Sequence, residues 1–189
     1  MIYRLSRVTL FAFFRIFYSL SVEGRSVFPA TGPFLLAANH SSNFDPPVLA
    51  AAAPRDLYFV AKQELFKNKL FGAYLTILHA LPLDRGAGDA HAIRQAIRLL
   101  KERPLVIFPQ GTRGQDMDHF KAGAGFLWRK TMVPVIACRI YGTDQALPKG
   151  CSFPRLGRIR VVFKRVEGLQ ACPDNQSASA KIMDTIRSL

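Results

Sequence analysis

Cysteine is scarce in this chain. Cys138, Cys151 and Cys172 make an odd count, with no Cys-x-x-Cys pair. That excludes a disulfide framework and a cysteine-rich zinc module, and predicts free thiols in a reducing compartment. Acidic residues are also short: 13 Asp and Glu stand against 26 Lys and Arg, a net charge of +13. Such an excess favours anionic partners (nucleic acid, an anionic membrane surface, phosphorylated substrates) and says nothing about fold. A long apolar run is missing as well. A helix needs about 20 largely apolar residues to cross a bilayer. The nearest candidate, residues 1–20, is interrupted by Arg4, Arg7 and Arg15. It also lacks a small-residue cleavage site behind a clean apolar core, so neither a span nor a signal peptide is expected. His79, His91 and His119 have no partners at metal-ligand spacing, and no metal site is expected. Repeats, linkers and low-complexity tracts are lacking too. What remains is 189 residues, 49% hydrophobic, enough for one domain with a full core.

Residues 1–20 do carry a pattern. At about 100° per residue the three arginines share one narrow helical sector, into which Phe11 and Tyr18 intrude. The other faces hold Ile2, Leu5, Leu10, Phe13, Phe14, Ile16, Phe17 and Leu20. That bulk must be buried in protein or in lipid. A basic, aromatic-rich helix of this kind can lie in a membrane interface, with arginines on lipid phosphates. The chain therefore divides into an expected membrane-interface helix, 1–20, and a domain, 21–189.

Beyond it, strand-like and helix-like segments alternate. Residues 21–28 form a short segment ending at Pro29. Strands are expected at 34–38, 57–61, 80–83, 105–108 and 133–140, with an outer strand at 158–165 where Ile159, Val161 and Phe163 share a face. Helices are expected at 46–53, 62–78, 90–102, 122–130 and 177–189. Pro46 or Pro47 sits near a first turn, and Asp89 is a candidate N-cap. This order predicts an α/β fold with a largely parallel central sheet flanked by helices.

Two strings stand out. NHSSNFDP places His40 five positions before Asp45 in a polar turn after a strand. A neutral imidazole can accept a proton near neutral pH, and a carboxylate on its other nitrogen would fix the tautomer. That spacing alone is a weak signal. FPQGTR places a Gly-Thr-Arg turn after another strand. Arg113 has a rigid donor fork suited to phosphate oxygens, Gly111 allows close backbone approach, and Thr112 adds a hydroxyl. Arg85, in LPLDRGAGD, is a second cation at a strand end. Ligands of open α/β sheets bind beyond the carboxyl ends of strands, so His40, Arg85 and Arg113 can converge. No Gly-x-Ser-x-Gly elbow is present. That favours direct attack by an acceptor hydroxyl over a covalent acyl-enzyme.

These blocks, in this order, resemble the glycerophospholipid acyltransferases of the 1-acyl-sn-glycerol-3-phosphate acyltransferase type. NHSSNFDP resembles their first block, LPLDR the second, FPQGTR the third and VPVIACRIYG the fourth. FKAGAG fits the stretch between the last two. The resemblance covers about residues 22–142 and continues loosely to 168. It implies His40 and Asp45 as the catalytic pair, and Arg85, Gln110, Gly111, Thr112 and Arg113 in the acceptor site. One departure is visible: the family usually has Glu where this chain has Gln110, which removes a charge but keeps the shape. The implied reaction moves a fatty acyl group from a thioester to a lysophospholipid hydroxyl, with 1-acyl-glycerol 3-phosphate becoming phosphatidate. No cofactor is implied; acyl-CoA or acyl-carrier protein is the donor substrate. Binding is expected at the cytoplasmic face of an anionic membrane, peripheral or monotopic. Another lyso-acceptor or glycerol 3-phosphate stays open as acceptor, and a non-catalytic lipid-binding relative stays open as a role. A nucleic-acid module is disfavoured, because no zinc motif, RRM-like aromatic signature or basic dimer helix accompanies the charge.

Overall fold

The computed structural model describes residues 2–83, 89–111, 120, 122–151 and 153–189. Its centre is a seven-stranded sheet. In chain order the strands are β1 (Ser21–Glu23), β2 (Leu35–Ala38), β3 (Tyr58–Lys62), β4 (Ala80–Leu83), β5 (Leu105–Ile107), β6 (Val135–Tyr141) and β7 (Arg160–Arg165). In space the order is β1-β7-β6-β2-β5-β3-β4. Every pairing is parallel except β6 with β7. The strand expected at the sheet's edge, β7, is instead covered by β1, with Val22 opposite Val161. Alternation along β7 does bury Val161 and Phe163, but alternation reports which face is wet and cannot report what lies beside a strand.

The sheet is covered on both faces. Helices α1 (Ile2–Tyr18), α2 (Asp45–Ala52) and α3 (Lys69–Ile77) cover one; α4 (Asp89–Leu100), α5 (Gly123–Thr131) and α7 (Asn175–Arg187) cover the other. Strand β2 shows the consequence. Leu36 and Ala38 face the α1–α2–α3 layer while Leu35 and Ala37 face the α4–α5–α7 layer, and all four are buried. A strand buried on both faces reads as a continuous apolar run. The segment expected as one helix over 62–78 begins as the end of β3, passes through a short 3₁₀ turn, and becomes α3 only at Lys69. Helix α7 starts at a capping box between Asp174 and Ser177. The one-turn helix α6 (Thr143–Ala146), not expected from sequence, follows β6.

Helix α1 reverses the expected polarity of its faces. Within the arginine sector, Arg7 turns toward the protein, while Arg15 stays exposed. The Arg7 guanidinium donates to the Ala50 and Ala53 carbonyls at the end of α2 and pairs with Asp56 at 3.0 Å. Arg15 donates to its own chain at Leu20 O. Tyr3, Phe14 and Tyr18 are buried, whereas Leu5, Val8, Phe13, Ile16 and Phe17 are exposed, Leu5 and Ile16 by 70% or more. So α1 is packed on the core by one stripe and presents an apolar stripe outward. Among the described residues no helix is long and apolar enough to cross a membrane.

Candidate active site

The parallel strands β2 and β5 end side by side, and the loops after them form the site. After β2 the chain must leave the sheet and start α2 within six residues. Asn39 anchors this turn: its side-chain amide donates to Ile140 O and its carbonyl accepts from Ile140 N–H, at 2.9 and 2.7 Å. Ser42 closes it, its hydroxyl donating to Leu147 O at 2.8 Å. Pro46 and Pro47 fall in the first turn of α2, where a missing N–H costs nothing.

Between these anchors lie His40 and Asp45. Nδ1 of His40 is 2.8 Å from Oδ2 of Asp45. The same oxygen accepts the backbone N–H groups of Ser41 and Ser42 at 2.7 and 2.8 Å. The other carboxylate oxygen accepts the Thr143 hydroxyl at 2.6 Å. Asp45 is fully buried, yet it accepts four hydrogen bonds and sits in the first turn of a helix, where the backbone dipole favours a negative charge. With Oδ2 an acceptor throughout, Nδ1 carries the hydrogen and Nε2 is the basic nitrogen. The His40 ring stacks on Phe108, centroids 4.0 Å apart at 19°, and its side chain stays 18% exposed. A group in that position can take a proton from a bound hydroxyl and give it back.

Gln110 is buried at the end of the β5 loop, and its Oε1 accepts the His40 backbone N–H at 2.8 Å. That bond needs an acceptor, not a charge, so glutamine can make it as a carboxylate would. Gly111 follows in the left-handed region, φ 77°, its N–H bonded to Phe108 O across a tight turn. Thr112, Arg113 and Arg85, expected beside the acceptor phosphate, lie outside the described residues.

Thr143, Asn39 and Phe108 carry roles that the sequence reading missed. Thr143 is 98 positions from Asp45, and only the fold joins them. The one local hint is Gly142, which ends VPVIACRIYG. It is left-handed at φ 81°, and a Cβ there would overlap the Arg158 carbonyl oxygen. Gly142 thus lets the chain turn out of β6 so that Thr143 enters the site. Cys138 lies buried in β6; burial, and secondarily the Asp45 charge, push its thiol well above the usual range. It is an inert core residue.

The family profile described as Acyltransferase matches residues 19–141, taking in His40, Asp45, Gln110 and Gly111. The chain belongs to the acyltransferase family. Relatives of this acyltransferase agree. It is 31% identical to the 1-acyl-sn-glycerol-3-phosphate acyltransferase of Bacillus subtilis over 76% of this chain and 71% of that protein. It is 35% identical to the enzyme of that name from Streptococcus pneumoniae, over 54% of this chain and 39% of that one. The chloroplastic counterpart of Arabidopsis thaliana is 28% identical over 89% of this chain, which spans half of it. The crystal structure of the 1-acyl-sn-glycerophosphate (LPA) acyltransferase PlsC from Thermotoga maritima superposes with a TM-score of 0.78 at 25% identity, covering 99% of this chain and 76% of that one.

Proposed function

We propose that this acyltransferase moves a fatty acyl group from an acyl thioester to the free hydroxyl of 1-acyl-glycerol 3-phosphate, giving phosphatidate. The observation that carries the reading is the buried, fully bonded Asp45 behind His40 Nδ1, in a chain whose relatives are named for that acceptor. Nε2 of His40 accepts the hydroxyl proton as the oxygen attacks the thioester carbonyl. The C–O bond forms, the C–S bond breaks, and the imidazolium returns its proton to the departing thiolate. Asp45 stabilises the transient imidazolium. Gln110 holds His40 through its backbone. Arg85, Arg113, Thr112 and the Gly111 turn receive the acceptor phosphate, and such positioning can contribute several kcal/mol. The donor is acyl-CoA or acyl-carrier protein, and no cofactor is required.

Both acceptor and product are lipids, so the protein works at a bilayer. The outward stripe Leu5–Val8–Ile16–Phe17 on α1 supplies apolar contact. The +13 charge adds attraction to anionic headgroups and acidic donors, and nucleic acid is not a proposed partner. On this reading residues 1–20 form the membrane-interface helix of an acyltransferase domain, 21–189, peripheral or monotopic at the cytoplasmic face.

The test is purified protein with both donors and a panel of lyso-acceptors and glycerol 3-phosphate, scored by lipid product. Phosphatidate is the expected main product, abolished in His40→Ala. Arg113→Ala and Arg85→Ala should each weaken acceptor use by about 1.5–3 kcal/mol. Lipid binding with no acyl transfer from either donor would leave a non-catalytic lipid-binding protein instead.

A further inference from the structure

Four arginines gather at the other end of the sheet from His40. They border a cavity of about 690 Å³ beside the start of β3 and the residue preceding β5, where Tyr58 and Pro104 lie, and at the end of α2. Each arginine is held in place. Arg7 caps the α2 carbonyls and pairs with Asp56. Arg25 donates through Nε to Ala52 O at 2.8 Å and lies over the Phe11 ring. Arg55 donates to Pro29 O at 3.0 Å and lies over Phe34. Arg103 donates to the Tyr58 hydroxyl at 2.6 Å and lies over that ring.

Structural duty leaves most of these charges uncompensated. Glu102 and Asp56 are the carboxylates on the cavity wall. Among the described residues Asp56 is paired with Arg7, and no carboxylate lies within ion-pair distance of Arg25, Arg55 or Arg103. The Arg25 guanidinium is held below its usual range, first by burial and then by the neighbouring Arg7 cation. Like charges fixed in a concavity raise its potential, and an anion of two or more charges would lower the energy of the whole cluster. Guanidinium forks favour phosphate oxygens in particular.

The position indicates where such a phosphate comes from. Val8 and Phe11 of α1 line the cavity, and Val8 belongs to the outward apolar stripe. A bilayer lying against that stripe brings its headgroup layer to the cavity's edge. We propose that the Arg7–Arg25–Arg55–Arg103 cavity is a second phosphate site, separate from the acceptor site, that takes the phosphate of a membrane lipid on which α1 rests. The membrane reading of α1 bears only on the source of the phosphate; the site itself stands on the arginines and does not depend on acyl transfer.

The test uses full-length protein and no turnover. Arg55→Gln with Arg103→Gln removes two charges while keeping bulk and leaving the α2 caps of Arg7 and Arg25 intact. Arg55→Lys with Arg103→Lys keeps the charges. Lys164→Gln with Lys181→Gln removes equal charge beside α7, and unchanged melting temperatures certify the fold of each. One arm measures binding of inorganic phosphate. The other measures binding to vesicles of phosphatidylcholine with or without phosphatidate. The glutamine pair at the cavity should lower preference for the phosphatidate vesicles about tenfold or more, as loss of two basic contacts predicts. The lysine pair should retain much of it, and the α7 pair most of it. Equal losses at the cavity and at α7 would reduce the effect to net charge and overturn the site. Loss of inorganic phosphate binding with vesicle preference intact would overturn the lipid assignment. Either result leaves acyl transfer, measured separately with dispersed acceptor, to be judged on its own.

Discussion

Replacing Asp45 with Asn separates charge from geometry at the base. Three donors converge on Oδ2: His40 Nδ1 at 2.8 Å, Ser41 N–H at 2.7 Å and Ser42 N–H at 2.8 Å. An asparagine with its carbonyl oxygen in that place keeps all three. Its amide nitrogen then faces Thr143, whose hydroxyl oxygen can accept and whose hydrogen can turn to Ser41 Oγ, 3.2 Å away. The imidazole therefore keeps its orientation and tautomer. Bonds to the two backbone donors weaken from charge-assisted to neutral, a loss of about 1 kcal/mol each, partly offset because no charge is buried. Melting should fall by roughly 2–8 °C. Catalysis should suffer more. An imidazolium about 4 Å from a lost negative charge, at an effective dielectric near 20, forgoes about 4 kcal/mol, roughly a thousandfold in kcat. Acceptor KM should barely move, since the carboxylate does not reach the substrate. The assay is phosphatidate formation under saturating donor and acceptor, with His40→Ala as the lower limit. A kcat within tenfold of the parent protein would refute the charge-support argument, and an active His40→Ala would refute the base itself.

Thr143→Val leaves Asp45 Oδ1 without its donor inside a buried site. It should cost about 1–3 kcal/mol of stability and lower kcat less than Asp45→Asn; melting and turnover both unchanged would remove Thr143 from the site. Leu5→Glu with Ile16→Glu places charge on the exposed stripe of α1. Melting should stay put while flotation with anionic vesicles falls, and undiminished flotation would place the membrane-facing surface elsewhere. His79 is stacked between Tyr3 and Tyr58, at 3.9 and 4.7 Å. Burial chiefly depresses its affinity for a proton; the Asp56 charge opposes this in part, and Arg103 adds a lesser push downward. The unfolded chain then binds the proton more readily, so stability present above the ordinary histidine range should decline as pH falls below about 6.5. His79→Gln should flatten melting temperature between about pH 7.5 and 5; an identical slope in parent and variant would assign the pH dependence to other groups.

Much of this molecule was legible in its residues. Apolar runs at 34–38 and 105–108 marked strands buried on both sides, because a sheet sandwiched between helix layers has no wet face to encode. The His40-to-Asp45 turn was legible because both ends of the pair lie in one short loop, whose serine N–H groups and helix start pin the carboxylate. Other features were written nowhere locally. The edge strand β1 is three residues long, too short for periodicity to register, so β7 read as the border of the sheet. In α1, one-dimensional pattern found two kinds of face but could not say which turns inward; the α2 carbonyls and Asp56 decided that by drawing Arg7 to the protein and leaving Leu5 and Ile16 outside. Thr143 reaches Asp45, and Gln110 reaches His40, only because β2 lies between β6 and β5. The sequence by itself determined which groups can do chemistry, through residue type and short-range spacing. Tertiary structure decided which of them are braced, which charges are left unpaired and which apolar surface stays exposed, because those properties belong to contacts between segments far apart in the chain.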